Sequence, residues 1–162
     1  MIIHYMQDRD RALPLSPIPR KNWEIDAYPV NEIAEYVQDV SQGDIDVLVE
    51  EYYNKYDMIL DGRDPEEFKK HVAVQAGIEI GFERVLEEKN YQAIVTHFGD
   101  LGSLKQLPGL AIQRLMEKGY GFGGEGDWKT AAMGIEAVYI DGDTTIRNLQ
   151  NELRWNSMYF SK

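Results

Sequence analysis

The chain has 162 residues, 28 acidic against 17 basic side chains, a formal net charge of -11, and no cysteine. Its length suits one domain with a real core. The negative charge disfavours partners that carry phosphates, so we expect neither nucleic-acid nor membrane binding. The absence of cysteine excludes disulfides, thiolate metal sites and cysteine nucleophiles. No apolar run approaches the roughly 18 residues of a membrane span, and the amino terminus lacks the order of a signal peptide. These features predict a soluble, cytoplasmic protein.

The first 22 residues differ in composition from the rest of the chain. Pro14, Pro17 and Pro19 prevent a helix or a central strand within ALPLSPIPRK. We therefore predict an extended arm over residues 1–22. A disordered leader without a role is the alternative, because terminal segments are commonly untethered.

Three helices are predicted between residues 31 and 89. The first is amphipathic from Asn31, and the second follows at once with Asp44 as its cap. Asp64 and Pro65 mark the clearest helix start, and this third helix should run to about Lys89. The tyrosines of the second helix recur at helical spacing, which favours a core face over a ligand site.

Within the third helix, Gly77 and Gly81 lie four residues apart. Two glycines on one face of a helix let a neighbouring backbone come close. We therefore expect a second helix to pack tightly there.

The second half of the chain alternates short apolar segments with helical ones, which is typical of an α/β fold. We predict helices packed on a short, mostly parallel sheet. The predicted elements are a strand at Tyr91–Phe98, a helix from Pro108 to about Lys118, a glycine loop, a buried strand at Ala137–Ile140, a turn at Asp141–Asp143 and a final helix at Thr144–Leu153.

The glycine loop contains the strongest functional signal. Residues 100–132 hold seven glycines, and three of them surround Glu125 in the run GGEGDW. We interpret this density as room for the backbone to approach a small ligand. A carboxylate presented from such a loop can bind a divalent cation or act as a general base.

Three other patterns have simpler interpretations. The G-x-G-x-x-G match at residues 119–124 follows a predicted helix instead of a strand, which argues against dinucleotide binding. His4, His71 and His97 show no metal-ligand spacing, so surface or core roles are favoured. The acids of residues 141–144 suit a capped turn better than a cation site.

The run LKQLPGLAIQRLMEKGYGFGGEGDWKTAA resembles the L-arabinose isomerase family closely. Residues 23–56 and 76–98 are similar to the preceding part of that family's middle domain. The run IEAVYIDGDTTIRNLQNELRWNSMYF is similar to the family's carboxyl terminus. The resemblance implies a middle α/β domain at residues 23–132 and a carboxyl-terminal segment at 133–162, packed on the same domain, after the unmatched arm at 1–22.

The resemblance also implies a chemistry. The family interconverts L-arabinose and L-ribulose through an enediol, with a divalent cation, usually Mn²⁺, held by two glutamates and two histidines. Glu125 matches the first of those glutamates, which makes it the expected metal ligand and catalytic residue. Phe98 matches a residue that lines the sugar pocket, whereas Gly99 stands where much of the family has glutamate.

By this resemblance, we expect the chain to lack the long stretch that the family carries after Ala132 and the family's amino-terminal domain. Three of the four metal ligands therefore have no counterpart, since His4, His71 and His97 match neither histidine motif. We expect a family member or fragment that is inactive alone and acts, if at all, in a homo-oligomer or with a complementing chain. The alternatives are a noncatalytic oligomerisation or interaction module and a remnant without function.

Overall fold

A computed structural model of the protein describes residues 25–97, 99 and 101–135 in full, and the backbone alone of residues 2–6 and 136–141. These residues form four strands and five helices. The strands are β1 (Ile2–Met6), β2 (Ile25–Pro29), β3 (Ala93–Thr96) and β4 (Gly121–Gly124). The helices are α1 (Val30–Gln38), α2 (Gln42–Lys55), α3 (Pro65–Glu88), α4 (Gly109–Glu117) and α5 (Trp128–Asp141).

The four strands form one sheet in the order β2-β1-β3-β4, and all three pairings are parallel. Ile2 stands opposite both Ile25 and Ala93, and Ala93 stands opposite Gly121. The predicted α/β class with a short parallel sheet is thus confirmed. The segment expected to be an extended arm contributes β1, which lies between β2 and β3, while residues 7–24 lie outside the described residues.

Helices cover the sheet on both faces, as a parallel sheet requires. Ile94 of β3 points into the larger core, together with residues of α1, α3 and α4. Ala93 and Val95 point the other way, onto α5. The fully buried large apolar side chains are Ile33, Tyr52, Ile78, Phe82, Leu86, Ile94, Ile112 and Leu115.

The close packing predicted at the two glycines of α3 is confirmed. A Cβ on Gly81 would lie 2.7 Å from the Cα and backbone nitrogen of Val37, so α1 rests directly on the α3 backbone. A Cβ on Gly77 would lie 3.4 Å from the Ile45 side chain of α2. Tyr52 of α2 is fully buried, in agreement with the expected core face.

One predicted helix cap is confirmed and another is wrong. Asp64 accepts from the amides of Glu66 (3.0 Å) and Glu67 (2.9 Å) at the start of α3. Helix α2 begins two residues before Asp44, and its cap is Ser41, whose Oγ accepts from the Asp44 amide at 3.2 Å. Serine is among the best N-cap residues, so the earlier start leaves fewer amides unsatisfied.

The strand predicted at Ala137–Ile140 is wrong, because this segment continues α5 to Asp141. Periodicity cannot separate a short apolar run in a strand from one in a buried helix. Ala131 and Ile135, four residues apart, pack on the sheet and establish the helical face before the run begins. The predicted turn loses Asp141 to α5, and the final helix at 144–153 lies outside the described residues.

Candidate functional site

The carboxyl ends of the strands meet at one edge of the sheet. The chain passes from β1 to β2 on one side and then to β3 on the other, so the strand order reverses between β1 and β3. Open parallel sheets bind ligands outside the carboxyl ends of the strands, at such a reversal. This carboxyl edge is therefore where a site is expected.

Glu125 lies at the carboxyl edge, directly after β4, and its side chain is exposed. Its φ is 56° and that of Gly126 is 82°, while the Asp127 amide donates to the Gly124 carbonyl at 3.0 Å. Two central residues with positive φ are the pattern of a type I′ turn, which favours glycine, asparagine and aspartate. Turn geometry thus does not explain a glutamate at this position.

Neighbouring elements hold this turn in place. The Gly126 amide donates to the Thr96 carbonyl of β3 at 3.3 Å. On the other side, Asp127 Oδ1 accepts from the Thr130 amide at 3.0 Å, and Asp127 Oδ2 accepts from the Thr130 hydroxyl. The carboxylate of Glu125 is therefore presented from a segment fastened to both β3 and α5.

Two of the glycines before Glu125, Gly121 and Gly123, serve packing, which corrects our interpretation of them as room for a ligand. Residues 121–124 form strand β4 where a loop was expected. A Cβ on Gly121 would overlap the Ala131 carbonyl, and one on Gly123 would overlap the Asp127 carbonyl. These two glycines let α5 lie against β4, whereas Gly124 faces open space. The G-x-G-x-x-G match at 119–124 begins after helix α4, as predicted, and ends with strand β4.

The two histidines whose side chains the structure describes occupy different places. His97 follows β3 and is half-buried, and its Nδ1 accepts from the Gly99 amide at 3.0 Å. Because Thr96 pairs with Gly124, His97 and Glu125 are the first residues after two neighbouring strands. His71 is exposed on α3, with Nδ1 2.8 Å from Gln106 Nε2.

The described residues do not provide a metal site. Within residues 25–97, 99 and 101–135, no three histidine, cysteine, aspartate or glutamate side chains are grouped so as to hold a metal ion. Glu125 alone cannot fix a cation, because affinity depends on ligand count and geometry. Mn²⁺ therefore does not fit this part of the chain by itself. Phe98 lies outside the described residues, and its role in a sugar pocket stays a prediction.

A buried charge cluster lies at the other end of β4, and the sequence reasoning missed it. Glu79 of α3 is fully buried, and its Oε2 accepts from the Tyr52 hydroxyl at 2.5 Å and from Arg114 Nε at 3.2 Å. Lys118 Nζ lies 2.9 Å from Glu79 Oε1, as an ion pair. The available signal was the acid inside the apolar run GIEIGF.

Burial and the neighbouring carboxylates together set the pKa values of this cluster. Burial, and then the neighbouring Glu79 carboxylate, raise the pKa of the Tyr52 phenol far above its ordinary value. Burial alone would lower the pKa of Lys118, but hydrogen bonds to Glu83 and Glu79 raise it. Lys118 precedes β4 whereas Glu125 follows it, so the cluster joins α2, α3 and α4 away from the carboxyl edge.

Comparison with known proteins identifies relatives of this chain. A sequence model described as the L-arabinose isomerase central domain matches residues 19–141. The L-arabinose isomerase of Geobacillus kaustophilus is 44% identical over 124 residues, which are 76% of this chain and 25% of that protein. That of Serratia proteamaculans is 46% identical over 121 residues, 74% of this chain and 24% of the relative. L-arabinose isomerase 1 of Clostridium acetobutylicum is 48% identical over 111 residues, 68% and 23% respectively.

The chain spans about a quarter of the length of the curated relatives it matches. The family match extends past residue 132, where we placed a domain boundary, and includes all of α5. It begins after β1, which therefore comes from outside the matched segment. Among the helices that the structure describes, none has the length and apolarity needed to cross a membrane.

Proposed function

Because this chain belongs to the L-arabinose isomerase family, we propose that it forms the central portion of an enzyme that converts L-arabinose to L-ribulose. One observation carries the proposal. Glu125 stands exposed at the carboxyl edge of a parallel sheet, in a turn where a glutamate has no structural advantage. We propose that its carboxylate takes part in this conversion and that the reaction takes place in the cytoplasm.

The proposed reaction moves a proton between C1 and C2 of the sugar through an enediol, for which a divalent cation such as Mn²⁺ would supply Lewis-acid stabilisation when bound. Glu125 would contribute one carboxylate oxygen to this site. The remaining ligands have to come from outside the described residues or from another chain, because the described residues do not provide them. The 162-residue chain alone should therefore not turn over L-arabinose.

The first test is an assay of the purified chain. L-arabinose is incubated with the chain and Mn²⁺, and ketopentose is measured beside the Glu125→Gln variant. We expect no product above background in either sample. Turnover by the parent that is lost in Glu125→Gln would contradict the need for further ligands and would make this chain an enzyme by itself.

The second test asks whether residues 19–141 support isomerase activity inside a full-length relative. Residues 19–141 replace the corresponding segment of the Geobacillus kaustophilus enzyme, and ketopentose formation is measured with Mn²⁺. We expect an active chimera that loses at least about 100-fold in kcat/KM on Glu125→Gln. Asp61→Asn, in a similar turn between α2 and α3, is the matched control and should keep full activity. A folded chimera whose activity is unchanged by Glu125→Gln would refute the role of Glu125.

A further inference from the structure

The side chain of Asp127 connects the Glu125 turn to helix α5. Its two carboxylate oxygens accept from the amide and the hydroxyl of Thr130, one turn into the helix. Its own amide donates to the Gly124 carbonyl and closes the turn around Glu125. Asp127 is therefore both the last residue of the turn and the cap of the helix that follows.

A second turn in the molecule shows what this support adds. The Arg63 amide donates to the Leu60 carbonyl at 3.0 Å, and the central residues Asp61 and Gly62 have φ values of 48° and 78°. Aspartate and glycine suit these positions by their own preference. Glutamate does not, so the turn at Glu125 depends more on what surrounds it.

We propose that Asp127 is a positioning residue for Glu125, anchored by Thr130. Fixed to α5 at one end and to the Thr96 carbonyl at the other, the turn cannot relax to a conformation that glutamate prefers. The Glu125 carboxylate is thereby aimed from the carboxyl edge before any ligand arrives. The catalytic role of this orientation rests on the proposed function, whereas the orientation itself is a property of this chain.

The test measures backbone order at Glu125 by ¹⁵N relaxation on the full chain. In the parent, the amides of Glu125 and Gly126 should have order parameters near 0.85, the value of rigid backbone. In Asp127→Ala they should fall below about 0.6. Asp127→Asn should restore the parental values, because asparagine caps helices about as well as aspartate.

Asp64→Ala is the matched control, since it removes the aspartate cap of α3 instead of α5. It should lower Tm by about 2 to 4 °C, as Asp127→Ala does, and leave the order parameters of Glu125 unchanged. If Asp127→Ala does not fold, Thr130→Val serves, because it deletes only the hydroxyl that donates to Asp127 Oδ2. It should lower the same two order parameters by a smaller amount.

Unchanged order at Glu125 and Gly126 in the folded Asp127 or Thr130 variant would overturn the proposal. So would an equal loss of order in Asp64→Ala, since the effect would then follow from global destabilisation. These readouts do not involve turnover. A chimera insensitive to Glu125→Gln would refute the proposed function while leaving the positioning result intact, and the reverse outcome is equally distinguishable.

Discussion

Glu125 occupies a backbone conformation that its own side chain disfavours. The left-handed region costs a residue with a Cβ roughly 1–2 kcal/mol, and glycine avoids this cost. At φ 56°, Glu125→Gly should therefore raise the free energy of unfolding by about 0.5–1 kcal/mol, after the greater freedom of glycine in the unfolded chain is subtracted. Thermal unfolding followed by circular dichroism should show Tm higher by about 1 to 4 °C.

Asp61→Gly is the control for this prediction, because Asp61 has a similar φ of 48°. Aspartate tolerates the left-handed region better than glutamate, so its replacement should gain less. A Glu125→Gly variant that is less stable than the parent would show that the carboxylate makes a stabilising contact outweighing the backbone strain.

Tyr52 gives the molecule a defined sensitivity to alkali. Burial and the Glu79 carboxylate raise the pKa of its phenol. Above about pH 10, the ordinary pKa of tyrosine, the folded state therefore keeps this proton whereas the unfolded state releases it. The unfolded state then binds fewer protons, and the free energy of unfolding falls as pH rises. Below about pH 10 this contribution is fully present.

Tyr52→Phe should reduce the fall in Tm between about pH 9.5 and pH 11. Part of the fall should remain, because burial also raises the pKa of Tyr91. At neutral pH the variant should be less stable by about 1–2 kcal/mol, because Glu79 loses a donor. The exposed Tyr53 provides the control, and Tyr53→Phe should leave the pH profile as it is. Parallel profiles for Tyr52→Phe and the parent would argue against a buried phenol at this site.

The contact between α5 and β4 depends on two glycines. Because a Cβ on Gly121 would overlap the Ala131 carbonyl, Gly121→Ala has to push the helix away from the sheet. We expect a loss of about 2–3 kcal/mol in the free energy of unfolding, measured by urea denaturation. Gly124→Ala, which meets nothing within 4 Å, should change stability by less than about 1 kcal/mol. Equal effects of the two variants would be incompatible with this packing.

Elements with a local chemical signal were predictable from the sequence. Asp64 and Pro65 fix the start of α3 through hydrogen bonds and backbone angles that neighbours in sequence supply, and Gly81 reports its close contact with α1. Strand β4 was not predictable, because its GFGG sequence lacks the β-branched residues typical of strands. Only tertiary packing, with Phe122 on one face and α5 on the other, makes it a strand.

The candidate site shows the same division. The flanking glycines and the family resemblance singled out Glu125, which the structure places directly after β4 at the carboxyl edge. Its left-handed φ and its support by Asp127 and Thr130 depend on contacts with β3 and α5, which no local pattern encodes. Glu79 was missed for a similar reason, since its partners Tyr52 and Arg114 are 27 and 35 residues away.

At the scale of the whole molecule, the sheet depends on a strand from outside the family match. β1 pairs with both β2 and β3, so its backbone amides and carbonyls are committed on two sides. Proline at a central position removes a ladder hydrogen bond and is tolerated mainly on edge strands. Ile3 pairs with Asp26 on one side and with Ile94 on the other.

Ile3→Pro should therefore cost about 3 kcal/mol or more and separate β2 from the remainder of the sheet. Thermal unfolding should show a large fall in Tm or the loss of a cooperative transition, whereas Ala27→Pro in β2, at the end of the described strand order, should be milder. If Ile3→Pro melts within about 2 °C of the parent, a change worth less than about 1 kcal/mol, β1 would not be an inner strand. The described strands would then follow one another in chain order, without the reversal that places a site at the carboxyl edge.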